Sequence, residues 1–166
     1  GNGSRMKVLG DGVIYFDEGA LGSNYYTLNN GQDWVALNLF LAEFSIYVKR
    51  VGSEIFVVDL GFEYRITKIN TITGEQNSEV LGSFVNFGAP FLTILDDGTV
   101  YCIIRDPVTT QAGLYRFKFG EGVVYLGDYA EAASCILLSS SGLDLFLFSN
   151  AKYYIFDGTN FVEYTY

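Results

Sequence analysis

Four times along this chain a turn glycine stands just ahead of an apolar, β-forming run. Gly12 precedes VIYF, Gly52 precedes SEIFVV, Gly98 precedes TVYCII and Gly142 precedes LDLFLF, at intervals of 40, 46 and 44 residues. After each run a tyrosine is followed two positions later by an apolar residue: Tyr26 and Leu28, Tyr64 and Ile66, Tyr115 and Phe117, Tyr154 and Phe156. A second glycine then closes each segment, at Gly31, Gly74, Gly120 and Gly158. Columns that recur in one order at similar spacing describe a repeated supersecondary unit, and that constrains the fold before any composition does. The repeats run 6–44, 45–88, 89–133 and 134–166.

The third repeat shows the unit most plainly. Phe91–Leu95 is a short apolar strand, and Asp96-Asp97-Gly98 turns the chain with Gly98 expected at positive φ. Val100–Ile104 is apolar at every position, so both of its faces want cover. Arg105-Asp106-Pro107 ends it, because proline cannot donate to a ladder. The third strand alternates, with Leu114, Arg116 and Lys118 on one face and Tyr115, Phe117 and Phe119 on the other. After Gly120-Glu121-Gly122, Val123–Leu126 makes a fourth strand. Buried inner strands and increasingly polar outer ones are the pattern of a β-propeller blade. Repeat phase makes Trp34–Phe44 a fourth strand too, although its Leu, Ala and Glu favour helix. The expected fold is therefore all-β: four four-stranded antiparallel meanders forming a four-bladed β-propeller. The rivals are a β-sandwich of the same hairpins and an open half-ring completed by a second chain. The latter arises because the repeats start and end in phase, which leaves apolar blade faces to be covered.

These columns resemble β-propeller repeats in general. Asp97-Gly98-Thr99-Val100-Tyr101 followed by Leu114-Tyr115-Arg116-Phe117 is a pairing of propeller type. Asn70-Thr71-Ile72-Thr73-Gly74-Glu75 resembles the turn of PQQ-type bacterial repeats. The Trp-Asp of WD40 repeats, the paired glycines of kelch and the Asp-box of sialidases are absent, so the resemblance implies a fold and carries no functional residue across.

With 49% hydrophobic and 17% charged residues, a packed core is expected rather than disorder. Residues 1–5, ahead of the lone Met6, read as an appended leader, and 6–166 as a single propeller-like domain. With Met6 as the start there is no signal peptide, and no apolar run spans a bilayer; a cytoplasmic or virion-associated location follows. Cys102 and Cys135 lie in apolar strands and read as buried thiols. A net charge of −9 with scattered basic residues argues against nucleic acid and anionic membranes as partners.

Absence of histidine removes triad, imidazole and His-ligated zinc chemistry. No nucleophile elbow, P-loop, dinucleotide fingerprint or EF-hand loop occurs. What remains is carboxylate chemistry. A polar residue ends or follows the second strand of each repeat: Asp17, Asp59, Asp106 and Asn150. In a propeller these ends share one face with the loops between blades, which carry Glu43, Asp128 and Glu131. That acidic face would bind a protein or small ligand, and a non-enzymatic binding or scaffold module, working within a homo-oligomer, is the expected function. Strand-ending Asp and Asn also serve simply to shape turns. Two alternatives stay open. One is a carbohydrate- or receptor-binding part of a phage or larger fibre protein, stacking sugars on Trp34, Phe62 or Tyr129. The other is a carboxylate-only glycoside hydrolase. No cofactor is expected beyond a central-channel cation such as calcium.

Overall fold

A computed structural model describes residues 5–17, 24–37, 44–60, 64–82, 91–105 and 112–165. They fall into two compact units, 1–83 and 84–166. The first holds the sheet β1 (Arg5–Gly10), β2 (Val13–Asp17), β3 (Asn24–Thr27), β4 (Val35–Ala36), and the sheet β5 (Phe44–Val51), β6 (Glu54–Leu60), β7 (Tyr64–Asn70), β8 (Gln76–Gly82). The second holds β9 (Leu92–Ile94), β10 (Val100–Arg105), β11 (Ala112–Lys118), β12 (Gly122–Asp128), then a four-residue helix α1 (Ala130–Ala133), then β13 (Cys135–Ser141), β14 (Asp144–Ser149), β15 (Lys152–Phe156), β16 (Phe161–Tyr164). Each sheet is a sequential antiparallel meander. The chain is all-β, built of four propeller blades, two to a unit. Four separate meanders exclude the β-sandwich. Among the described residues no helix is long and apolar enough to cross a membrane.

The turns show why the glycine columns recur. At Asp97-Gly98 the loop is longer than a two-residue hairpin: the Gly98 N–H donates to Leu95 O at 3.0 Å, the Leu95 N–H donates to Thr99 O at 2.8 Å, and Gly98 sits at φ 81°. That is a turn followed by a left-handed residue, which glycine adopts without steric cost. The Asp97 carboxylate accepts from both the N–H and the hydroxyl of Thr99, at 2.9 Å each, and braces the loop.

Second strands carry the cores. Ile55–Asp59 is buried at five consecutive positions, and Val100, Cys102 and Ile103 are buried on both faces of β10. In unit 1, Val13, Tyr15 and Tyr26 of the first blade pack with Val48, Ile55, Val57 and Ile69 of the second. The Arg50 guanidinium ties these blades further, donating to Gly10 O at 2.9 Å and pairing with Asp11 at 3.0 Å. In unit 2, Ile103 and Leu114 pack with Leu138, Leu145 and Leu147 around Ala132 of α1. There Thr93 donates to Ser140 at 2.9 Å, and Ser140 to Ile94 O at 2.8 Å. The fourth strands are mostly exposed, as blade-edge strands should be. Trp34–Phe44 is only partly described: Val35–Ala36 pairs with β3, Phe44 opens β5, and 38–43 lie outside the described residues.

Candidate functional site

The second-strand ends behave differently in the two units. In β2 the buried face runs Val13, Tyr15, Asp17, and in β6 it runs Ile55, Val57, Asp59. The apolar members of both faces share one core, so the two carboxylates come to the same end of unit 1. Asp17 is 2% exposed and Asp59 1% exposed. Asn24, buried too, stands opposite Asp17, and Arg65 stands opposite Asp59. A buried carboxylate persists only in polar company.

In blade four, Asn150 and Ala151 take φ 50° and 62° and form a two-residue turn between the paired Ser149 and Lys152. Positive φ at both central residues is the type I′ hairpin that asparagine favours. The buried residue ending β14 is Ser149, one position before the residue the repeat spacing selects. Asp106, Glu43 and Phe62 lie outside the described residues.

Exposed polar groups gather in unit 2 instead. Asp128 ends β12 opposite Gly113, and the chain then passes through α1, with Glu131 half-buried, into Cys135. Cys135 pairs with Ser149, directly before Asn150. Asp128, Glu131 and Asn150 therefore lie at one end of the unit.

Beside Asp128 is an aromatic pair that the sequence reading did not select. The ladder of β11 and β12 skips a residue: Leu114 pairs with Gly127 and Tyr115 with Tyr125, leaving Leu126 extra. Such a bulge re-aims side chains. The Tyr115 and Tyr125 rings lie 5.2 Å apart, tilted by 51°, and Tyr125 is 52% exposed. The Tyr125 hydroxyl donates to the Asp128 carboxylate; this bond first, then burial and the nearby negative charge, pushes its pKa up. Gly113 forms the floor. A Cβ there would stand 2.9 Å from Tyr125 Cε2, 3.0 Å from Tyr115 Cε2 and 3.4 Å from Asp128 Oδ1.

The other aromatics divide. Trp34 is 44% exposed, edge-on to Phe16 at 6.2 Å, and its neighbour Asp33 accepts from Asn29 at 2.7 Å. Tyr129 is committed to packing: it meets Phe161 at 5.2 Å and Phe156 at 5.8 Å, and its hydroxyl donates to Thr159 O at 2.9 Å. Cys102 and Cys135 are buried thiols not joined in a disulfide, and burial pushes the Cys102 thiol far up, away from nucleophilic use. Among the described residues no three Asp, Glu, Cys or His side chains come together as a metal cage.

No family model matches the chain, and no curated protein matches its sequence. Solved structures do match. One is the X-ray structure of a protein described as a "putative gluconolactonase", with a TM-score of 0.54 and 10% identity over 91% of this chain. The chain spans 59% of that structure's length. At such identity the likeness speaks for the fold alone.

Proposed function

We propose that this chain is a non-enzymatic binding module that engages a partner through the exposed polar end of its second unit. The observation that carries this is the gathering of Asp128, Glu131 and Asn150 at one end of unit 2. Turn formation accounts for Asn150 but not for Asp128, whose carboxylate takes a tyrosine hydroxyl at an exposed site. A net charge of −9 adds a field that attracts cationic partners. The test is fluorescence anisotropy with a labelled oligolysine peptide at low salt. Asp128→Asn with Glu131→Gln should weaken binding several-fold, with wild-type melting retained. Equal affinity would remove this end as the binding surface.

The buried Asp17, Asn24 and Asp59 at one end of unit 1 favour a second reading, a carboxylate-based hydrolase. The similar structure's description makes a sugar lactone the first substrate to try, alongside glycosides. Asp59→Asn should then abolish turnover. No turnover by the wild-type protein sinks this reading.

A further inference from the structure

We infer that the Tyr115–Tyr125 pair beside Asp128 seats one basic side chain, lysine or arginine, of a protein partner. This rests on the reading of the acidic end and names its anchor.

Four features point there. First, Tyr125 is half exposed, yet its ring packs 5.2 Å from Tyr115 and lies over Gly113, so the ring is held in place before any ligand arrives. A pre-oriented aromatic loses little entropy on binding. Second, Tyr115 braces the ring from one side. At 5.2 Å between centroids nothing fits between the rings, so a ligand lies on the open side of Tyr125. Third, Gly113 has no left-handed φ to demand glycine, and what demands it is the space taken by both tyrosines and the carboxylate. A glycine inside a strand weakens the strand and marks a close approach, here that of the cluster itself. Fourth, the skip at Leu126 places Tyr125, rather than Leu126, opposite Tyr115.

The electrostatics select the ligand. The ring face is negative, the adjoining carboxylate is a full charge, and the whole chain is acidic. A cation over the ring meets both attractions at once, whereas an anion meets neither. A neutral sugar would use the ring but gain nothing from the field. Arginine would lie flat on the ring, and lysine would place a compact ammonium near it.

The experiment is titration of the whole chain with oligolysine and oligoarginine peptides, followed by calorimetry and by proton NMR of the peptide. The expected result is binding of either peptide, with the side-chain methylene protons next to the charge shifted upfield by the ring. Tyr125→Leu should abolish that shift and weaken binding about two- to fivefold, the range for an exposed cation–π contact. Tyr125→Phe, which keeps the ring, should retain the shift. Glu121→Gln, the same charge change at the other end of β12, should bind as wild type. If Asp128→Asn with Glu131→Gln loses binding but the Tyr125 variants and the peptide shifts show no ring contact, the platform is refuted and the acidic end survives. If the wild type binds neither peptide at low salt, or binds only a neutral oligosaccharide, both readings fall.

Discussion

Gly113→Ala isolates the Tyr115–Tyr125–Asp128 cluster with one methyl group. Gly113 is buried in β11, and its φ is not left-handed, so alanine meets no backbone strain there. On conformational entropy alone alanine would stabilise the strand by about 0.5–1 kcal/mol. Against this, the new Cβ would lie 2.9 Å and 3.0 Å from two ring carbons. Ring edges can rotate away, but Tyr125 is held by Asp128 and Tyr115 by its half-buried position. Overpacking of this kind costs about 1–3 kcal/mol, so a net loss of about 1–2 kcal/mol is expected. Urea denaturation followed by circular dichroism measures it. The decisive form is a double-mutant cycle with Tyr125→Ala. In that background the Cβ meets only Tyr115 and Asp128, and the loss should fall by half or more. Displacing Tyr125 also frees its hydroxyl from Asp128. The raised pKa should then drop toward the ordinary phenol value, visible as earlier ionisation in the ultraviolet titration. A Gly113→Ala protein as stable as wild type, or an undiminished cost beside Tyr125→Ala, would refute the close approach.

Two further outcomes test the framework around that cluster. Gly98→Val forces a β-branched residue to φ 81° at a buried position and should cost about 2–3 kcal/mol, while wild-type melting would contradict the turn geometry. Burial works against the charge of Asp97, but the hydrogen bonds from Thr99, with Lys118 nearby, hold its carboxyl below the ordinary 3.8. A depressed carboxyl adds stability above its unfolded pKa and loses it as pH falls through the folded value. The stability gap between wild type and Asp97→Ala should therefore be present at pH 7 and shrink below about pH 4. Urea midpoints at both pH values check this, and a constant gap would deny the linkage.

The blade plan was legible because it is written in backbone conformation, which a residue's identity records locally. All eight column glycines, Gly12, Gly52, Gly98 and Gly142 with Gly31, Gly74, Gly120 and Gly158, take positive φ between 56° and 97°. The tyrosine column was less faithful, because spacing is not register. Tyr26 stands opposite Tyr15, Tyr115 opposite Cys102 and Tyr154 opposite Leu147, all deep in the second strands. Tyr64 instead opens β7 opposite Leu60, and Thr67 takes the place opposite Val57. The polar strand ends suffered the same slip. Both Asn150 and Ser149 fit a polar column, and only pairing shows that one turns the chain while the other is buried. The four-residue α1 has too short a pattern to announce itself.

The tyrosine platform was hidden for a sharper reason. Read as a regular strand, GVVYLGD continues its alternation to Asp128, and Leu126 would stand opposite Tyr115. Gly113 would then face Asp128 with an aliphatic side chain beside it. The extra residue in β12 moves Tyr125 into that place and brings Gly113, Tyr115, Tyr125 and Asp128 onto one face, since partners across a ladder share a face. Neither the bulge nor its consequence can be read from residue types, because Val, Tyr and Leu all suit a strand. What the sequence does record is the compensation: a glycine at position 113, inside a strand where β-formers are the rule, with no turn to explain it. A mid-strand glycine with ordinary φ is thus the trace of side chains crowding in from the neighbouring strand, here Tyr125 and Asp128 of β12.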